Sequence, residues 1–172
     1  MNAQVLNTPP SVEYHCGEKN GVSIQLTQFG DPEDREWHLL LSVTDPLMDF
    51  QSQLKQVFDT YRAMVSQEHA VTCFMRVFLS DTATQTHDVE ELLMEDRGFP
   101  YSVIEQPPAN GTKVALWVWM LSHAENHALD SGLYEVSTPH ATLYWATGLA
   151  EACGTSKEQT ALILQQYVMM LI

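Results

Sequence analysis

The stretch "AVTCFMRVFLSD", residues 70–81, is apolar almost throughout and predicts a strand, with Arg76 set inside it. Working outward toward the N-terminus, "DPLMDFQSQLKQVFDTYRAMVSQ" (45–67) predicts a helix. Asp49 can cap its first turn, and Phe50, Leu54, Val57, Phe58, Tyr61, Met64 and Val65 recur at helical spacing. Before it, "GVSIQLTQF" (21–29) alternates Val22, Ile24 and Leu26 against polar residues. It is followed by the polar turn "GDPEDRE" (30–36) and by a second strand, "WHLLLSVT" (37–44), so the pair predicts a hairpin. On the C-terminal side, "HDVEELLMEDRG" (87–98) predicts a short acidic helix stopped by Gly98. "YSVIEQ" (101–106) predicts a strand, "PPANG" (107–111) breaks the ladder, and "TKVALWVWMLS" (112–122) predicts the closing strand. The order ββαβαββ predicts an α+β domain with two helices on one face of a sheet.

The totals narrow the function classes. The chain has 172 residues, 45% of them hydrophobic, enough for one buried core. Its net charge is −14, from 8 Lys+Arg against 22 Asp+Glu, and the cations are scattered. A field of that sign repels phosphate backbones, which argues against nucleic acid and anionic membranes as partners. Cys16, Cys73 and Cys153 are far apart and form no CxxC pair, which fits reduced thiols and a cytoplasmic protein. The start, "MNAQVLNTPP", lacks the basic and apolar regions of a signal peptide, and the longest apolar run, Val114 to Leu121, is too short to span a bilayer.

The domain reading is an N-terminal arm (1–19), a first domain (20–122), a polar linker (123–131) and a partial second copy (132–172). The second copy rests on paired segments. "QLKQVFDTYRAMV" (53–65) aligns with "QTALILQQYVMML" (159–171), bringing Gln53 to Gln159, Tyr61 to Tyr167 and Met64 to Met170. "GVSIQLT" from Gly21 resembles "GLYEVST" from Gly132, and "HLLLSVT" resembles "HATLYWAT" with one slip. Thr155 and Glu158 form a capping box for the second helix. The expectation is a tandem protein cut short inside its second copy. Residues 156–171 should be a helix docked on the Leu133–Thr147 hairpin, because a helix apolar around so much of its circumference needs burial, with an apolar rim left for a partner chain or a missing half.

"VTCFMRVFLSD" before a short helix, and "FPYSVIEQPP…GTKVALWVWML" after it, resemble the RidA family, also called YjgF or L-PSP endoribonuclease-like, over residues 20–122. The resemblance implies a chorismate-mutase-like fold and homotrimers with small-molecule clefts between subunits. For the active branch it also implies hydrolysis of enamines and imines made by pyridoxal enzymes, a deaminase-like activity. Active members carry an arginine after a proline at the start of the penultimate strand, where it holds a substrate carboxylate. This sequence reads Pro100-Tyr101-Ser102 there. The closing strand's usual glutamate is likewise absent, its place being offered to Trp117 and Trp119.

The candidate ligand-binding residues are Tyr101, Ser102, Glu105, Gln106, Arg76 and Trp117. Tyr101, Ser102, Glu105 and Gln106 sit where the resemblance sets the cleft, and their hydroxyl, carboxylate and carboxamide groups suit a polar ligand. The plainer reading makes them a solvated strand edge and turn. Arg76 inside an apolar strand calls for a carboxylate or an anionic ligand, unless alternation turns it to solvent or to another subunit. Trp117 and Trp119 share one strand face and can form an aromatic wall or an interface anchor. His123 and His127, with Glu125, have i, i+4 spacing, but no helical periodicity backs a metal face, so neither metal nor cofactor is expected. His38 and His140 hold matching places in the two copies, and Cys73 reads as a small hydrophobe. Two functions are compatible with these residues: a RidA-like protein that binds a small metabolite, with hydrolysis open, or a non-catalytic assembly and protein-interaction module.

Overall fold

The computed structural model describes residues 11–31, 34–96, 98–129, 132–152 and 154–171. Residues 1–10 of the expected arm and Cys153 lie outside them. The chain is α+β. Its main element is a six-stranded mixed sheet in the order β1-β2-β3-β6-β4-β5. The strands are β1 (Ser11–Lys19), β2 (Val22–Asp31), β3 (Asp34–Val43), β4 (Val71–Leu79), β5 (Tyr101–Glu105) and β6 (Val114–Leu121). Among the described strands only β4 and β5 pair in parallel. They are joined through α2 (Thr82–Glu95), as a crossover requires. The strand read as closing the domain, β6, therefore sits in the middle of the sheet, between β3 and β4.

Period-2 alternation divides the sheet into two faces. Leu39 and Leu41 of β3, Leu116 and Val118 of β6, and Met75 and Val77 of β4 point to one core shared with α1 (Phe50–Glu68) and α2. Asp49 caps α1 by accepting from the Ser52 amide at 3.0 Å. His69 ends that helix in the left-handed region at φ 51°.

Three elements differ from the sequence reading. β1 occupies the second half of the expected 1–19 arm and turns into β2 through Asn20 and Gly21, at φ 51° and 73°. All nine of its residues are exposed, so no buried face marks it as a strand. Helix α2 begins at Thr82, five residues before the expected start at 87. Its polar first turn is fixed by capping, with the Ala83 amide donating to Asp81 at 3.0 Å. The expected linker contains β7 (Glu125–Ala128). It pairs with β8 (Leu133–Ser137), which pairs with β9 (Thr142–Ala146), in a second antiparallel sheet.

The second sheet stacks on the face of the main sheet opposite α1 and α2. Cys73, Ala124 and Val136 are buried there, with Trp119, Leu143 and Trp145 packed around them. Asn126 Nδ2 anchors β7 by donating to the Thr72 carbonyl at 2.5 Å. Helix α3 (Ser156–Met170) opens with the Thr155–Glu158 capping box and touches the second sheet where Tyr167 Oη donates to the Tyr144 carbonyl at 3.1 Å. No α3 residue is buried, and the apolar rim is wide: Leu164 is 59% and Met169 68% exposed. Among the described residues no helix is long and apolar enough to cross a membrane.

Candidate functional site

The parallel pairing of β4 and β5 sets Arg76 opposite Ser102. Arg76 Nε donates to Ser102 Oγ at 3.2 Å, and the guanidinium carbon lies 5.6 Å from the centre of the Phe74 ring. No carboxylate lies within ion-pair distance of Arg76 among the described residues, and the residue is exposed. Both side chains line an open cleft of ≈730 Å³ between the β4–β5 edge and the second sheet. Tyr101 and Glu90 form its first wall, and Tyr134, Trp145 and Ile163 form the other.

The aromatic floor runs across three strands. Phe74 stacks on Trp145 at 4.9 Å and 18° between ring planes, and Trp145 meets Trp119 at 5.3 Å. Phe74 also contacts Trp117 at 5.9 Å. Trp119 Nε1 and His38 Nε2 both bond Glu36 Oε1 at 2.8 Å, which fixes the outer end of the row. The Trp145 indole Nε1 is buried with no hydrogen-bond partner among the described residues. A buried donor of this kind needs an acceptor from water or a ligand. Burial, and then the neighbouring Glu90 and Tyr134, raise the Tyr101 hydroxyl above the usual phenol range, so it stays protonated and can donate. The cleft is thus rich in donors: Arg76, Ser102 and Tyr101.

The sequence candidates separate in space. Arg76, Tyr101 and Ser102 share the cleft, and Trp117 adjoins it through Phe74. Glu105 lies apart, accepting from Thr82 Oγ1 at 2.6 Å and so holding the start of α2. Gln106 lines a different hollow, beside Leu40, Phe78 and Pro107. His127 sits 3.7 Å from Glu125 on β7, and His140 3.7 Å from Asp34. Sequence reading missed Phe74, Tyr134 and Trp145. Trp145 stood in an alternating strand, "TLYWA", but nothing in that pattern says which sheet it will cover.

No protein-family model, curated protein or solved structure matches the chain.

Proposed function

We propose that this is a RidA-like protein that binds a small anionic metabolite in the cleft between β4–β5 and the second sheet. The family reading is supported by the succession of hairpin, helix, strand, helix and two strands, with both helices on one sheet face. The binding reading is carried by Arg76. A guanidinium on an apolar strand, held by Ser102 and without a carboxylate partner, offers a fork that fits a carboxylate or phosphate. The aromatic floor suits a ligand with a flat or apolar body.

Turnover is not part of the reading. The outward positions of β6 near the cleft are Trp117 and Trp119, and the lining carboxylate is Glu90, exposed on α2. The reading extends to a cytoplasmic oligomer, a trimer by resemblance, using the open part of the main sheet around Leu40 and Phe78. The second reading, a protein-interaction module, draws on the exposed Leu164, Val168 and Met169 of α3.

The test is an NMR titration with small aromatic and branched aliphatic carboxylates, each beside its neutral amide. Carboxylates should shift the Ser102 amide and the Trp145 indole resonance, the amides should not, and Arg76→Gln should abolish the response. Equal shifts in Arg76→Gln, or none with any carboxylate, would sink the reading.

A further inference from the structure

Two stretches of the chain are built alike. In each, three antiparallel strands lead into a helix: β1-β2-β3-α1 and β7-β8-β9-α3. In each, a threonine after the third strand grips the glycine before the second through both its amide and its hydroxyl. Thr44 does so to the Gly21 carbonyl at 2.9 and 3.2 Å, and Thr147 to the Gly132 carbonyl at 2.9 and 3.3 Å. The two differ beyond their third strands. The outer edge of β3 is taken by β6, and α1 packs on both. The outer edge of β9 has no strand among the described residues. Phe58 of α1 is fully buried, while its counterpart in α3, Leu164, is 59% exposed.

We propose that the free edge of β9 accepts an extended segment of another polypeptide, largely apolar on both faces, in the place that β6 takes beside β3. The ladder makes the edge available. Thr147 donates to Gly132, and Thr138 to Ala141. By alternation, Leu143 and Trp145 bond to β8, while the backbone groups of Thr142, Tyr144 and Ala146 point outward. The Tyr144 carbonyl confirms that direction: it is met by the Tyr167 hydroxyl, not by a strand.

The surroundings define the segment. Along β4 the second sheet advances from Thr72, held by β7, to Phe74, covered by Trp145 of β9. The next outward residues are Arg76, which is exposed, and Phe78, which lines an open hollow with Leu40 and Ala115. A strand added to β9 would cover this ground with one set of side chains and meet α3 with the other, so both must be apolar except over Arg76, where a polar or acidic residue is required. β6 itself, Val-Ala-Leu-Trp-Val-Trp-Met-Leu, supplies the apolar part of that pattern. The net charge of −14 favours basic residues at the segment's ends. A second copy is a poor donor, because its nine-residue edge strand β1 sets Glu13 and His15 against Val12 and Tyr14.

The experiment adds a peptide of residues Lys113–Ser122, extended with lysine tails, to the whole chain and follows amide exchange by NMR. The Tyr144 and Ala146 amides should slow by about tenfold or more at saturation. A peptide of the same composition with lysines at alternate positions should leave them unchanged. Ala146→Pro removes an outward N–H that β8 does not use and should abolish binding. Leu164→Glu, at an exposed position, should weaken it about tenfold even if the proline variant fails to fold. Peptide binding without protection of Tyr144 and Ala146, equal binding by Leu164→Glu, or protection of those amides by self-association alone would each overturn the proposal.

Discussion

Thr147 holds the Gly132 carbonyl with two donors, its amide at 2.9 Å and its hydroxyl at 3.3 Å, and so closes the second sheet at the end from which α3 departs. Gly132 has φ +80°, and a Cβ there would lie 3.0 Å from the Thr147 carbonyl oxygen. Gly132→Ala should therefore cost about 1–2 kcal/mol, from the left-handed backbone alone. Amide exchange at Val136 and Leu143 should quicken about five- to thirtyfold while Val118 in the main sheet is unaffected. Equal acceleration everywhere would mean that the two sheets open as one unit.

Trp145 joins the sheets, and Cys73 beneath them reports on the joint. Burial pushes the Cys73 thiol up to about 12, whereas Cys16 is exposed. In a Cys153→Ser background, a thiol reagent at neutral pH should label Cys16 promptly and leave Cys73 intact. Trp145→Ala removes the stack on Phe74 and should cost about 2–4 kcal/mol, lifting the second sheet enough for Cys73 to react. A Cys73 that stays protected in Trp145→Ala would show that the other contacts hold the sheet alone.

Gln53 is fully buried and bridges two segments: its Nε2 donates to the Met48 carbonyl at 2.8 Å, and its Oε1 accepts from the Lys113 amide at 2.7 Å. Gln53→Leu keeps the volume and strands the Lys113 amide, while the Met48 carbonyl keeps the Lys113 Nζ donor at 2.9 Å. The expected loss is about 1–3 kcal/mol, seen as a lower urea midpoint at unchanged slope.

Alkali should destabilise the fold. Burial holds both Cys73 and Tyr61 near 12, against ordinary values of 9.0 and 10.0. Both groups are neutral when protonated, so the unfolded chain ionises first. Their contribution is complete below pH 9 and is lost as pH rises from 9 toward 12. Urea midpoints should fall from pH 8 to pH 10.5, and Cys73→Ala should remove the earliest part of the decline. A flat profile would count against burial of both groups.

Elements with at least one buried face were legible in the sequence. β2, β3 and α1 carry period-2 or helical patterns because each presses an apolar side on the common core, while β4 and β6, covered on both faces, read as near-continuous apolar runs. β1 was not legible, because Val12 and Tyr14 alternate with Glu13 and His15 over no core at all. β7 was hidden for the same reason, since only Asn126 of its four residues is partly covered. For the site, Arg76 stood out as a charge in an apolar strand, but its neighbour Trp145 comes from nearly seventy residues later, a distance that local pattern cannot cross. Glu105 looked like a ligand group because capping at a distance, here to Thr82, has no local signature.

The order β3-β6-β4 also sets a schedule for synthesis. The β1-β2-β3 meander has only nearest-neighbour pairings and can form as it leaves the ribosome. β4 comes soon after, yet neither β3 nor β4 can pair with the other, because the position between them belongs to β6. Until residues 114–121 emerge, the nascent chain carries two apolar strand edges, Leu39–Val43 and Met75–Leu79, with nothing to seal them. This is the interval in which a chaperone has most to protect, and in which a pause in translation upstream of Val114 would do most harm.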